Sequence, residues 1–271
     1  MRLYNIDTLK FEVFNSYLQT PPYIIASHRY ASDGGEITYQ DVLTRRSGES
    51  ITSMLYGSQI RKVEKAGFRK LDGFVAYIKQ RHPGIKWLWI DTCCIDRAQS
   101  VELSEAINSM FKWYKKAHLC LAYLADVGNS SLHPGPYPRT ALAKQFQTSE
   151  WFKRGWTLQE LIAPASVVFL SADWQIIGAK GRTNATLPAL DNQISEITGI
   201  PVAALVDPTR LSSFTAETKL KWAAGRCTTR EEDMWYCLFG LLDAPIGPIY
   251  GEGAEHAQKR LLREVFSKAQ R

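Results

Sequence analysis

Nowhere in the 271 residues do about 18 apolar residues run together, so the sequence offers no helical membrane span. GxGxxG does not follow the first apolar run and the Walker pattern is missing, which argues against a conventional dinucleotide-binding or NTPase site. GxSxG is absent, and no Cys and His combination suits a nucleophile and its base. The five cysteines (93, 94, 120, 227 and 237) are odd in number, lie in apolar stretches and show no CxxC spacing. Together with an N-terminus, "MRLYNIDTLKF", that lacks an apolar signal segment, they predict a cytoplasmic chain with free thiols and no metal site. Cys94 reads as a small buried apolar residue. The net charge of +6 is scattered, with a mild concentration between Arg61 and Arg81. Without basic runs interleaved with aromatics, a nucleic-acid partner is not expected, whereas a phosphate-bearing small ligand is compatible with it.

What is present alternates. "PPYIIASHRY" (21 to 30) reads as a buried strand ending at Ser27, His28 and Arg29, and "ASDGGEITYQD" as the loop after it. "FRKLDGFVAYIKQ" (68 to 80) places Leu71, Phe74, Val75 and Ile78 at helical intervals, and "HPG" stops it. "IKWLWIDTCCID" is a second apolar strand with Asp91 and Asp96 toward its carboxyl end. A helix over 101 to 117, with Ser100 as its cap, leads to the strand "HLCLAYLADV". The Gly, Pro and Ser-rich 128 to 140 reads as an insertion. One helix capped near Ser149 and ended by Pro164 follows, then "SVVFL" and "WQIIG" as strands around a Ser-Ala-Asp turn.

Such alternation predicts an α/β fold, a parallel sheet flanked by helices. Beyond Gly178 it gives way to helices at roughly 186 to 198, 215 to 225, 230 to 241 and 254 to 269. Thr229 to Glu232 has capping-box spacing at the start of the third. The expected organisation is an α/β core over 1–178 and a helical extension over 179–271.

Ligands of parallel α/β sheets collect at the carboxyl ends of strands. That edge holds Ser27, His28 and Arg29 on one strand and Asp91 and Asp96 on another. Arg29 suits a pyrophosphate through its planar fork, and His28 a hydrogen bond; each is equally at home beside a structural carboxylate. Asp91 and Asp96 also suit the cap of a following helix. Trp156 and Glu160 lie four residues apart in "RGWTLQEL", one turn apart on a helical face. A lone glutamate does not meet the needs of most glycosidases, which use two carboxylates. It is sufficient for the nicotinamide-ribose bond of NAD: the pyridinium departs neutral, and only the cationic ribose needs a fixed negative charge. Packing of Phe152 and Trp156 in a core explains the same spacing.

Several ordered blocks add a resemblance: "SHRY" (27 to 30), "WIDTCCID" (89 to 96), "ELSEAINSMFKWY", "WFKRGWTLQELIAP" (151 to 164), "RCTTREEDMWYCLFGL" (226 to 241) and "IYGEG" (249 to 253). Together they resemble the HET domain of fungal heterokaryon-incompatibility proteins. The resemblance implies a cell-death effector, often joined to NLR-type sensor domains, and a distant kinship to TIR domains with their flavodoxin-like parallel sheet. Many TIR domains cleave NAD with the Glu of a W-x-x-x-E motif, which Trp156 and Glu160 match. It therefore implies Glu160 as the catalytic residue, with Ser27, His28, Arg29, Asp91, Asp96 and Trp156 binding NAD. NAD is then substrate and no cofactor is needed, and the active form is a homo-oligomer. A self-assembling adaptor without catalysis, and another nucleotide N-ribosyl hydrolase or transferase, are the alternatives. Arg226, Arg230 and Asp233 reach the cleft or pin the extension.

Overall fold

A computed structural model describes residues 1–16, 18–30, 34–47, 65–128, 139–181 and 186–268. They fall into two compact units, Met1–Tyr23 with Tyr30–Leu103, and Ile24–Arg29 with Ser104–Arg271. All but the ends of the predicted insertion at 128 to 140 lies outside the described residues, as do residues 31–33 of the predicted loop and residues 61–64 of the cation-rich stretch.

The first unit opens with an antiparallel hairpin, β1 (Arg2–Asn5) and β2 (Lys10–Val13), whose register pairs Leu3 with Glu12 and Tyr4 with Phe11. Asn5 stabilises the turn, its side-chain oxygen accepting the N–H groups of Asp7 and Thr8, each at 3.0 Å. Helices α1 (Tyr39–Ser47) and α2 (Ala66–Arg81) follow. In α2, of the apolar positions read from the sequence, Leu71, Phe74 and Ile78 are buried and Val75 is half-buried, and the helix ends before His82 as "HPG" predicts. Strand β3 is Ile24–His28, described with the second unit. The strand predicted over "IKWLWIDTCCID" contracts to β4 (Trp87–Trp89), antiparallel to β1. Asp91 no longer ends a strand: it opens the short helix α3 (Asp91–Cys94). Helix α4 (Ser100–Lys116) starts in this unit and continues into the next.

The second unit is built on a mixed sheet. Strand β3, all five residues buried, runs parallel to β5 (Leu119–Leu124), and β5 runs parallel to β6 (Ser166–Ser171). Near-continuous apolar runs such as "LCLAYL" and "SVVFL" are what such strands require. The tyrosine hydroxyl of Tyr114 in α4 donates to the Ala26 carbonyl of β3 at 2.9 Å, fixing that helix to the sheet. Strand β7 (Ile176–Gly181) is antiparallel to β6, which corrects the expectation of a uniformly parallel sheet. The reason is visible in the sequence: the four residues between the two strands are too few for a crossover and suffice only for a hairpin.

Two further expectations change. Residues 139–148, the first two read as the end of an insertion and the rest given no element, form α5 (Arg139–Thr148). The single helix predicted from Ser149 to Pro164 is broken into a 3-10 turn (Glu150–Lys153) and α6 (Thr157–Ile162). Gly155 at the break packs so closely that a Cβ there would lie 2.6 Å from Thr228 Cγ2. Beyond β7 the chain is mainly helical: α7 (Asp191–Thr198), α8 (Val202–Val206), a 3-10 turn (Pro208–Ser213), α9 (Ala216–Ala223), α10 (Asp233–Tyr236) and α11 (Ala254–Lys268); α8 and the 3-10 turn are additions to the expected helices, and the helix expected over 230 to 241 contracts to α10. The capping box at Thr229 does not form. Glu232 is the residue that caps α10, and its side chain instead accepts the Gly251 N–H at 2.8 Å. Among the described residues no helix is long and apolar enough to cross a membrane.

Candidate functional site

Glu160 sits in the middle of α6 and is 5% exposed. Its Oε2 accepts the hydroxyl of Ser27, near the carboxyl end of β3, in a short hydrogen bond. The same Ser27 oxygen accepts the indole N–H of Trp151 at 2.9 Å. One buried hydroxyl thus relays an aromatic donor to a carboxylate.

Each member is held from behind. Trp151 lies in the 3-10 turn, which Ser149 caps by accepting the Trp151 backbone N–H at 3.3 Å. Asp126, just past β5, accepts the Ser149 hydroxyl and the Glu150 N–H, both at 2.8 Å. The Trp151 ring packs edge-on against Phe152 and Phe169, with centroids 5.1 and 5.5 Å away, and Phe146 meets Phe152 and Phe169 edge-on at 5.1 Å. Thr157 at the start of α6 donates to the carbonyls of Trp151 (2.6 Å) and Arg154 (2.9 Å), tying the helix to the 3-10 turn.

At the far end of α6 the buried Lys180 ammonium of β7 donates to the carbonyls of Leu161 (3.1 Å) and Pro164 (2.7 Å). A cation at a helix C-terminus complements its unsatisfied carbonyls. Burial lowers the Lys180 pKa to about 8, against the raising influence of Cys120 and Asp191. The unfolded chain binds this proton more tightly than the folded one, so Lys180 adds stability as pH rises from about 8 toward the unfolded value of 10.5. Relative to Lys180→Met, wild type is expected to gain roughly 3 kcal/mol at most across that window. Urea melts of both chains at pH 7.5 and 10.5 check it.

Arg226 is almost fully buried and grips the other end. Its Nη1 donates to the Arg154 carbonyl (2.9 Å) and to Thr157 Oγ1 (3.2 Å), and its Nε to the Trp222 carbonyl (3.2 Å). Burial pulls its pKa down to about 10, which leaves it charged at neutral pH. Next to it, the Cys227 backbone bridges both sides of the break, donating to Lys153 O (2.7 Å) and accepting from Gly155 N–H (2.9 Å). Of the two roles open for Arg226, the contacts are those of a pin that fixes the start of α6.

Trp156, four residues before Glu160, turns to different neighbours. It is half-buried and hydrogen-bonds to Asp233, which also accepts the Tyr250 hydroxyl at 3.0 Å. Burial raises the Asp233 pKa, while these two bonds and Arg230 draw it back. Arg230 lies over the Tyr250 ring, 4.3 Å from its centroid. Asp233 and Arg230 therefore attach to Trp156 and Tyr250, the indole of one motif and the tyrosine of another.

The remaining sequence candidates are distributed as follows. His28 is buried and Arg29 exposed at the end of β3. In the first unit, Asp91 accepts the Tyr30 hydroxyl in a short bond and faces Arg97 at 3.4 Å; burial raises its pKa, against the pull of Arg97 and Tyr30. Asp96 shapes the turn before α4: its Oδ1 accepts the Ala98 N–H at 3.2 Å, and because Ala98 precedes the helix, this is a turn and not the helix cap that the sequence left open. The structure thus unites Ser27 with Glu160, and adds Trp151, which in the sequence is only the first residue of the block "WFKRGWTLQELIAP". All five cysteines are free thiols, four of them buried. Burial first, and the Glu160 carboxylate second, push the Cys120 thiol well above its usual range, and burial with Asp233 pushes Cys237 up to about 12. Both are inert as nucleophiles at neutral pH.

A buried carboxylate supported by a hydroxyl and an indole, on an α/β sheet followed by helices, accompanies a family match. Residues 68–145 match the family described as heterokaryon incompatibility protein (HET). The chain is also homologous to a vegetative incompatibility protein, HET-E-1 of Podospora anserina, with 42% identity over 245 residues, 90% of this chain. It spans 16% of that relative's length. No solved structure matches the chain.

Proposed function

We propose that this chain is the cell-death effector domain of a fungal heterokaryon-incompatibility system, acting in the cytoplasm as an NAD glycohydrolase that clustering of copies switches on. The observation that carries the reading is the Glu160 carboxylate, buried and oriented by the Ser27 hydroxyl. The homology to a vegetative incompatibility protein supports the biological role.

In the proposed reaction the bond between the ribose C1′ and the nicotinamide nitrogen breaks, and its electron pair stays on nitrogen. The pyridinium thereby becomes neutral nicotinamide, and the positive charge passes to the ribose. Glu160 stabilises that cation electrostatically, more strongly in a low-dielectric site than it could in water. Water then attacks C1′ and loses a proton, which gives ADP-ribose; attack by an adenine nitrogen instead closes a cyclic form. Ser27 keeps the carboxylate at one angle, so no reorientation is needed as charge develops. Trp156, held by Asp233, lines the approach, and exposed Arg29 meets the pyrophosphate, with His28 beside it. At 5% exposure Glu160 is not presented to a substrate in this conformation. Opening of the chain around α6 therefore precedes catalysis, and clustering is the proposed trigger. Asp91 and Asp96, each engaged within the first unit, are given no part in this step.

The test is a substrate panel. The chain, concentrated under crowding, is incubated with NAD, with nucleosides and with nucleotides. Release of nicotinamide from NAD alone is the expected result. Base release from nucleosides or nucleotides favours the broader N-ribosyl hydrolase, and killing with no turnover of any substrate favours the adaptor.

A further inference from the structure

Among the described residues, strand β2, "KFEV", is the outermost strand of its sheet and pairs only with β1. Its register decides which backbone groups face outward. Phe14 donates its N–H to the Met1 carbonyl at 2.8 Å, and the Met1 amino group donates to the Phe14 carbonyl at 3.0 Å, so these residues form a bonded pair. Bonded and non-bonded pairs alternate along an antiparallel ladder. Glu12 and Lys10 are therefore bonded to β1, whereas Phe11 and Val13 turn their N–H and C=O groups away from it. Among the described residues nothing takes up those groups.

Two further features mark this edge. Leu9 (44% exposed), Val13 (60%) and Leu18 (98%) are three of the six exposed large hydrophobic residues among the described residues: Leu9 precedes this strand, Val13 ends it and Leu18 follows five residues on. Leu9 also holds a φ of +57°, a conformation unusual for a leucine and one that costs energy. Lys10 and Glu12, two residues apart and so on one face, carry opposite charges and form no ion pair among the described residues.

We propose that β2 is a self-association edge on which a second copy of this chain adds antiparallel, across a two-fold axis at Phe11. In that register Phe11 faces Phe11 of the other copy through the outward hydrogen bonds. Lys10 lies opposite Glu12 on both sides of the axis, and exposed Val13 meets exposed Leu9. The neighbouring register that satisfies the same outward groups is centred on Glu12 and sets like charges face to face, which is unfavourable. A lysine on a sheet edge ordinarily discourages pairing. Here the charge pattern is self-complementary, and it selects one partner and one register. With so short a strand the association is weak for free chains and rises when copies are held close together. The proposal is independent of the reaction assigned to Glu160.

Sedimentation of the 271-residue chain over a concentration series tests it. Wild type is expected to show a reversible monomer–dimer equilibrium. Lys10→Glu and Glu12→Lys should each weaken dimerisation tenfold or more, and an equimolar mixture of the two variants should recover it, since each then presents the charges that the other lacks. Val13→Pro removes an outward N–H and no bond to β1, and should abolish pairing while circular dichroism stays native. A wild-type chain that stays monomeric up to about 1 mM overturns the proposal. So does a mixture that dimerises no better than its components. Should Val13→Pro fail to fold, the charge exchange still decides.

Discussion

Replacing Arg226 by Ala is expected to destabilise the fold by about 3 kcal/mol or more, because three acceptors lose the guanidinium at once. These are the carbonyls of Trp222 and Arg154, the latter part-buried and left with the Thr157 hydroxyl alone, and the hydroxyl of Thr157. Two of the three lie at the junction of the 3-10 turn and α6, so the loss falls on the segment that aims Glu160. Arg226→Lys should recover only part of it, since an ammonium cannot reproduce the geometry of the planar fork. Urea denaturation measures both. A stability equal to wild type in Arg226→Ala would show that the junction does not depend on the pin.

Ser27→Ala is expected to cost about 1–3 kcal/mol, because it strands the buried Trp151 indole N–H and removes the donor to Glu160. Its effect on the proposed reaction should be larger. A carboxylate free to rotate is displaced from where the ribosyl cation forms, and misplacement on the order of 1 Å is worth about 100-fold in rate. Ser27→Thr, which retains the hydroxyl, should restore a part of the activity. Equal rates of nicotinamide release from wild type and Ser27→Ala would remove the serine from the site.

Much of the fold was legible where physical constraints are local. The apolar runs of β3, β5 and β6, and the 3.6-residue periodicity of α2 and α4, follow directly from burial on two faces or on one. The β1–β2 hairpin was not, because β2 is only four residues long and largely exposed, too short for its alternation of polar and apolar residues to stand out. The break between Lys153 and Thr157 was hidden for another reason. "WFKRGWTLQELI" keeps helical spacing throughout, and only the close approach of Cys227 and Thr228 to Gly155 forces the chain out of the helix. That break explains why the site was half-read. Sequence spacing links Trp156 to Glu160, yet the indole joined to Glu160 through Ser27 belongs to Trp151, nine residues away and across the break. Ser27 itself was singled out from its strand end, but as a contact to NAD; its partner is 133 residues distant in sequence. Likewise Thr229 and Glu232 have the spacing of a capping box, and tertiary bonds to Gly251 override it.

The central claim is that Glu160 supplies the charge that permits loss of nicotinamide, and one comparison tests it most directly. Wild type and Glu160→Gln, equally concentrated and crowded, are given NAD, and nicotinamide is followed by chromatography while thermal unfolding confirms the fold of each. The variant keeps the shape and an acceptor for the Ser27 hydroxyl and loses only the negative charge. The account predicts steady release by wild type and a loss of about 1000-fold in the variant, the scale of one preorganised electrostatic group. A folded Glu160→Gln chain that releases nicotinamide at the wild-type rate would contradict it.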